Sequence, residues 1–421
     1  MSAAQSPESS ESPAKGGEAR RERWYRAAGW LYGGHLFCVF ALALSNGLLA
    51  LAGLLTPWSV VWREVPWRRF APILVPLGLY YLMLILSITA SYEPRTSVGA
   101  LGDATRLATL VLALLLVRGE TAVRRVIGGL VLVASLLAFG GMVQLLAGQG
   151  DIDHRIRGPF SHYMTYSGVL LMCDLLLLAR LSTPGGWRRR WSWVGFVVIN
   201  AAILGTLTRG AWVALLLTAL GFLASRVFSR GRLPRWLLLG APAALLLAAL
   251  APVPLVHRAL SIVDLRDTSN YDRLCMLEAG FSMVAERPLL GLGPDVVKRR
   301  YPIYRNDTAP RLTVPHLHNT FLQLAAERGL LSLLAYAWMM VASLRAAWVT
   351  YRAEGGMRGA RADLLLGVIL ALVAFNLAGL FEDNWRDAEV QRVALFLLAV
   401  PFGLVASRDG RSHASPPPQA R

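Results

Sequence analysis

Apolar residues in this chain come in runs of about 17 to 25, long enough as helix to cross a hydrocarbon layer of about 30 Å, with polar connectors between them. About twelve such runs are legible, near 31–44, 48–61, 70–89, 101–117, 126–147, 166–181, 193–207, 211–228, 233–250, 321–348, 364–380 and 393–405. The first two and the seventh are short. One long polar stretch breaks the series, running from Val253 to Asn319. The pattern predicts an all-α polytopic membrane protein with one long extramembrane loop. Its segments are a disordered tail over 1–26, nine transmembrane helices over 27–252, the loop over 253–318, three more helices over 319–406, and a second tail over 407–421.

Charge supplies the orientation, because cytoplasmic connectors retain Arg and Lys. Every second connector is basic: Arg63, Arg68 and Arg69; Arg118, Arg124 and Arg125; Arg180, Arg188, Arg189 and Arg190; Arg226, Arg230, Arg232 and Arg235; Arg345, Arg352, Arg358 and Arg361. These loops and both termini are expected in the cytoplasm, which puts the long polar stretch on the outer side. The net charge of +17 would suggest nucleic acid in a soluble protein. Here most of it lies in short loops beside anionic headgroups, so membrane lipid is the expected partner and nucleic acid is not. No cleavable leader is evident, since a polar tail precedes the first apolar run. Cys38 and Cys173 fall within spans and leave Cys275 alone outside, so no structural disulfide is expected. Gly291-Leu292-Gly293-Pro294 follows no strand pattern and reads as a turn.

The polar stretch concentrates titratable groups: His257, His316 and His318, with Arg258, Arg266, Arg273, Arg287, Arg299, Arg300, Arg305 and Arg311. Arg209 joins two apolar runs with almost no loop, and a charge so close to the membrane is a candidate for function, although it could also snorkel to lipid phosphate. Arg155 and Arg157 precede the span near Tyr166, while Arg266 and Arg273 lie among Asp264, Asp267 and Asp272. Guanidinium offers paired donors that match phosphate oxygens, so a pyrophosphate could recruit several of them. Local salt bridges to the aspartates are the competing reading. His318 stands at the mouth of the run that begins at Phe321, with Asn319 and Thr320 as cap residues. A neutral imidazole there suits a general base, and His316 could serve instead or support it. Asp151, Asp153 and His154, or His316 with His318, could imitate metal ligands, but neither spacing is diagnostic, and arginines that neutralise phosphate make a metal unnecessary.

Five segments then carry a resemblance. Thr206 to Trp212, Asp272-Arg273, Pro288 to Pro294, His318 to Leu322 and Glu327 to Leu331 resemble the ordered motifs of the O-antigen ligase and polymerase superfamily, over about residues 155–400. The resemblance implies a GT-C-like glycosyltransferase, with no cofactor and no metal, in the inner membrane of a Gram-negative bacterium. Its donor would be O-antigen on undecaprenyl pyrophosphate, its acceptor lipid A–core, and its site periplasmic. Carried onto this chain, His318 matches the motif histidine, Arg209 and Arg273 match motif arginines, and Arg157 is a weaker transfer. The implied mechanism has Arg209 and Arg273, with Arg157, Arg155 or Arg266, holding the pyrophosphate. His318 or His316 deprotonates the acceptor hydroxyl, which displaces the pyrophosphate with inversion; Asn319, Asp387 or Glu389 could orient the base or the acceptor. An O-antigen polymerase and a protein O-oligosaccharyltransferase are the near alternatives. A lipid or sugar transporter is the alternative from another class, and it would call for polar residues at mid-membrane, whereas here they gather at the outer ends.

Overall fold

A computed structural model describes residues 13–149, 155–183, 188–230, 256, 259–262, 264 and 267–406. Its regular elements are all helical: α1 Pro13–Phe37, α2 Leu42–Leu55, α3 Trp58–Glu64, α4 Trp67–Thr89, α5 Pro94–Ser97, α6 Ala100–Ala104, α7 Ala108–Leu116, α8 Glu120–Leu146, α9 Tyr163–Ser182, α10 Arg188–Gly205, α11 Arg209–Arg230, α12 Thr268–Glu286, α13 Val297–Tyr304, α14 Thr320–Ala353, α15 Ala362–Ala378 and α16 Ala388–Ala406. Seven stretches are long and apolar enough to cross a membrane, and α2, α15 and residues 190–205 are shorter apolar helices. The protein is therefore an all-α polytopic membrane protein. The span expected at 233–250 lies outside the described residues.

The first two expected spans divide differently. The chain turns at residues 38–41, inside the run at 31–44, so that α1 and α2 pack against each other, and α1 begins at Pro13 within the expected tail. Buried polar contacts account for this turn. His35 Nδ1 lies 2.8 Å from Ser45 Oγ, and Arg392 of α16 donates to the same oxygen at 2.6 Å and to Asn46. His35, Ser45 and Arg392 are buried, so their polar atoms must partner one another, and the chain folds to bring them together.

The bundle is built around α9 and α16, whose apolar windows are 89% and 94% buried, and α15 packs along α9. Helices alternate in direction. The ends of α8 and α15 that carry Arg124, Glu120 and Asp363 meet at one end of the bundle, where Arg124 Nη1 reaches Asp363 Oδ2 at 2.7 Å. The N-termini of α9, α11, α14 and α16 and the C-termini of α8, α10 and α15 gather at the other end. The described part of the polar stretch from residue 267 onward is a folded cap at that second end. Met276, Met283, Val297, Tyr301, Val314 and Leu317 form a small core of their own that seats α12 and α13 against Leu322 and Ala326 of α14.

One device divides α14. The helix breaks at Gly329, where φ is 79° and ψ 169°, giving segments 320–328 and 330–353. A break frees carbonyls that hydrocarbon cannot solvate. The turn at 288–294 satisfies them: Leu292 N donates to Ala326 O at 2.9 Å and Gly293 N to Glu327 O at 2.9 Å, while Leu330 N donates to Pro288 O at 2.7 Å. The turn approaches so closely that a Cβ on Gly329 would lie 2.0 Å from Leu289 O, and one on Gly291 would lie 2.4 Å from the Glu327 carbonyl carbon. Glycine at both positions is thus a requirement of docking as well as of backbone angle.

Candidate active site

His318 occupies a strained position, with φ at 49° in the left-handed region. A non-glycine residue there costs on the order of 1 to 3 kcal/mol, and persists only where its surroundings over-determine it. The neighbours do so. Asn319 caps α14 by accepting from Leu322 N at 2.9 Å and donates to Leu380 O at 3.2 Å. Thr320 N donates to Gly379 O at 2.7 Å, and the Thr320 hydroxyl to Glu382 O at 3.0 Å. On the other side, Leu317 N is taken by Gln323 Oε1 at 2.8 Å. Asn319 is therefore a helix cap and a strut to the 379–387 loop.

Glu382, on that loop, binds both candidate histidines. Its Oε2 lies 2.8 Å from His318 Nδ1 and its Oε1 lies 3.4 Å from His316 Nε2. Burial would raise the Glu382 carboxyl, but the hydrogen bond and charge of His318, then His316 and Arg273, hold it down at about 2. It is ionised at neutral pH. An ionised partner assigns the hydrogen to His318 Nδ1, which leaves Nε2 as the basic nitrogen, with no protein partner among the described residues. His316 plays a different part. Its Nδ1 accepts from His318 N at 3.3 Å, so its hydrogen is on Nε2 facing Glu382, and burial pushes it down to about 4 despite the nearby carboxylate. A neutral ring tilted by 53° against His318, with centroids 4.3 Å apart, shapes the pocket more than it exchanges protons.

These groups open into a cavity of about 440 Å³ that is also lined by His162, Thr165, Arg311, Arg386 and Asp387. Asp387 does not orient His318. It takes the Thr165 hydroxyl at 2.5 Å, and burial followed by a hydrogen bond to Glu389 raises its carboxyl well above the usual range. Asp387 thus lines the cavity with its carboxyl turned to Thr165 and Glu389 and not to His318. Asp383, next to Glu382, is pushed up to about 8 by burial against the pull of Arg386. Adjacent carboxyls are held in opposite protonation states, an arrangement typical of sites that do acid–base chemistry.

The arginines separate into groups. Arg209 is buried, and its guanidinium is engaged, with Nη1 on Ser261 O at 2.8 Å and Nη2 on Asp267 Oδ1 at 3.0 Å. Arg273 projects from α12 near Arg209 and Glu382, close enough for their charges to interact, and burial lowers its pKa. Among the described residues it makes no hydrogen bond or ion pair, so its fork is open to a ligand. Arg155 lies over the Tyr163 ring at 4.6 Å, and Arg157 is exposed, donating to Ser161 O at 3.2 Å. Arg266 lies outside the described residues. Arg311, which the sequence offered only as one of many cations, lines the cavity and pairs with Asp272 Oδ2 at 3.1 Å.

Sequence reasoning missed Glu382. The signal was the polar cluster Glu382-Asp383-Asn384 directly after an apolar helix, of which Asp383 and Asn384 prove to be buried, more than a loop at the membrane surface needs. Ligand atoms of His316, His318 and Glu382 lie within 4.8 Å of one another, so this trio is also the one group among the described residues able to hold a metal ion.

Residues 194–337 fit the family described as Wzy_C: O-Antigen ligase, a stretch that includes Arg209, Arg273, the 288–294 turn, His316, His318 and the break at Gly329. A search of curated proteins returned no match.

Proposed function

We propose that this protein, whose residues 194–337 fit the family described as O-Antigen ligase, transfers O-antigen polysaccharide from undecaprenyl pyrophosphate to lipid A–core on the periplasmic face of a Gram-negative inner membrane. The observation that carries the mechanism is the His318–Glu382 pair: an ionised carboxylate at 2.8 Å from Nδ1, a free Nε2, and a cavity in front of it. The acceptor hydroxyl enters that cavity and gives its proton to His318 Nε2 while its oxygen attacks the anomeric carbon. Glu382 holds the ring's orientation and stabilises the imidazolium that forms. The glycosyl–oxygen bond to the pyrophosphate breaks in the same step, and the electron pair leaves with the phosphate. Arg273, with its open fork, and Arg209 behind it neutralise that departing charge. One displacement inverts the anomeric centre. No metal takes part in this scheme, because the guanidinium groups supply the charge a divalent ion would bring.

The test is transfer by purified protein supplied with lipid-linked glycan and each of three acceptors: lipid A–core, a second lipid-linked glycan, and an acceptor protein. Product on lipid A–core alone supports the ligase. Elongated lipid-linked glycan makes it a polymerase, and glycan on the protein makes it an oligosaccharyltransferase.

A further inference from the structure

The transferase scheme leaves a group of cations unused. Arg287, just after α12, lies with Cζ 3.9 Å from the centre of the Tyr92 ring, and Arg300 of α13 approaches the same ring at 4.7 Å. Lys298 is exposed beside Arg299, which keeps 62% of its side chain accessible while pairing with Glu93 at 3.0 Å. The two acids in the cluster leave it positive. Glu286 accepts the hydroxyls of Tyr92 at 2.5 Å and Tyr304 at 2.6 Å, and Glu93 serves Arg299 closely but Arg300 only at 3.9 Å. Beside the cations are exposed apolar side chains: Leu289 at 61% and Ile303 at 67%, the latter one helical turn from Arg299 and Arg300 on α13.

Transfer between two anionic lipids needs two sets of cations. Arg209 and Arg273 serve the donor pyrophosphate in the scheme above. The second set lies just after α12 and on α13, on either side of the 288–294 turn, and that turn is clamped by backbone hydrogen bonds to the break at Gly329, hence to the segment 320–328 that begins beside His318. We propose that Arg287, Lys298, Arg299 and Arg300 form the docking surface for the phosphate-bearing headgroup of the acceptor glycolipid, with Leu289 and Ile303 against its acyl region. Guanidinium matches phosphate oxygens in pairs, Lys298 adds a mobile point charge, and the apolar flank holds the lipid at the depth of the membrane surface. The proposal rests on the transferase reading.

The double variant Lys298→Glu/Arg299→Glu tests it, since both side chains are exposed and their replacement leaves the cap's core intact. The acceptor KM for lipid A–core should rise on the order of tenfold or more, with the donor KM unchanged, because each cation near an anionic lipid surface adds appreciable attraction. With lipid A–core stripped of its phosphates, variant and wild type should have the same acceptor KM. An unchanged acceptor KM overturns the proposal, as does an equal rise in the donor KM. Reduced flotation with phosphatidylglycerol vesicles at unchanged acceptor KM also overturns it, leaving a phospholipid contact. Should the wild type transfer nothing to lipid A–core, the transferase reading has failed by itself. Direct binding of labelled lipid A–core to both proteins then still decides whether the surface holds a phosphorylated glycolipid, and equal binding rejects it.

Discussion

Glu382→Gln keeps the shape of the residue that holds His318 and removes its charge. In the structure the carboxylate accepts from His318 Nδ1 at 2.8 Å, a charge-assisted bond worth about 1.5 to 3 kcal/mol, against about 1 kcal/mol for a neutral one. Losing the difference in the transition state lowers kcat at least several-fold, at about 1.36 kcal/mol per tenfold. The amide also offers an NH₂ group, which can select the wrong tautomer, with the hydrogen on Nε2. In that case the loss rises toward about 10⁴, as when an orienting carboxylate is made an amide. Stability should change in a recognisable way. Holding the carboxyl at about 2 instead of its ordinary 4.5 corresponds to about 3 kcal/mol, from roughly 2.5 pH units at about 1.36 kcal/mol each. A depressed carboxyl contributes fully above 4.5, and the contribution is lost as pH falls toward about 2. The Tm gap between wild type and variant should therefore be wide at pH 7 and close between pH 4.5 and 2. Single-turnover transfer at saturating donor and thermal melts across pH measure both effects. A variant with wild-type turnover at normal expression, or a Tm gap that does not narrow in acid, refutes the reasoning.

Other consequences are simpler to read. Arg273→Ala should reduce transfer at least about a hundredfold with the protein still inserted, and Arg273→Lys should restore little, because an ammonium lacks the planar fork; wild-type activity in the alanine variant, measured by glycan transfer, would remove Arg273 from the site. Transfer by purified protein should persist in excess EDTA, whereas a loss restored by a divalent ion would make His316, His318 and Glu382 its ligands. A reporter active only outside the cytoplasm should work when fused after Pro302 and be silent after Gly356, and the opposite pattern would put the cavity on the wrong side of the membrane.

What the sequence disclosed followed from signals that are local. Apolar runs revealed the spans because length and composition alone decide whether a helix can cross hydrocarbon. His318 was legible from its place at a helix mouth, and Arg209 from a charge between two apolar runs. Partners remote in sequence were not. Glu382 reaches His318 across 64 residues and Asp267 reaches Arg209 across 58, and no periodicity links them. Asp387 and Glu389, the carboxyls offered from sequence to orient the base or the acceptor, stand away from the base, and Asp387 turns to Glu389 and Thr165. The 288–294 turn was readable as a turn, but its purpose depends on Gly329 some 40 residues later in the chain, where a broken helix needs new hydrogen-bond donors. The first two expected spans failed for a similar reason: His35 and Ser45 look tolerable in isolation, and only Arg392 on the last helix explains the turn between them.

The most direct test of the account is His318→Ala in single-turnover transfer from lipid-linked glycan, with donor binding measured on the same preparation. Loss of a positioned general base should lower the rate by about 10² to 10⁴ and leave donor binding intact. His316→Ala should be far milder, since its ring is neutral and its pKa lies at about 4. Near-normal turnover in His318→Ala, with donor bound as in the wild type, would contradict the account.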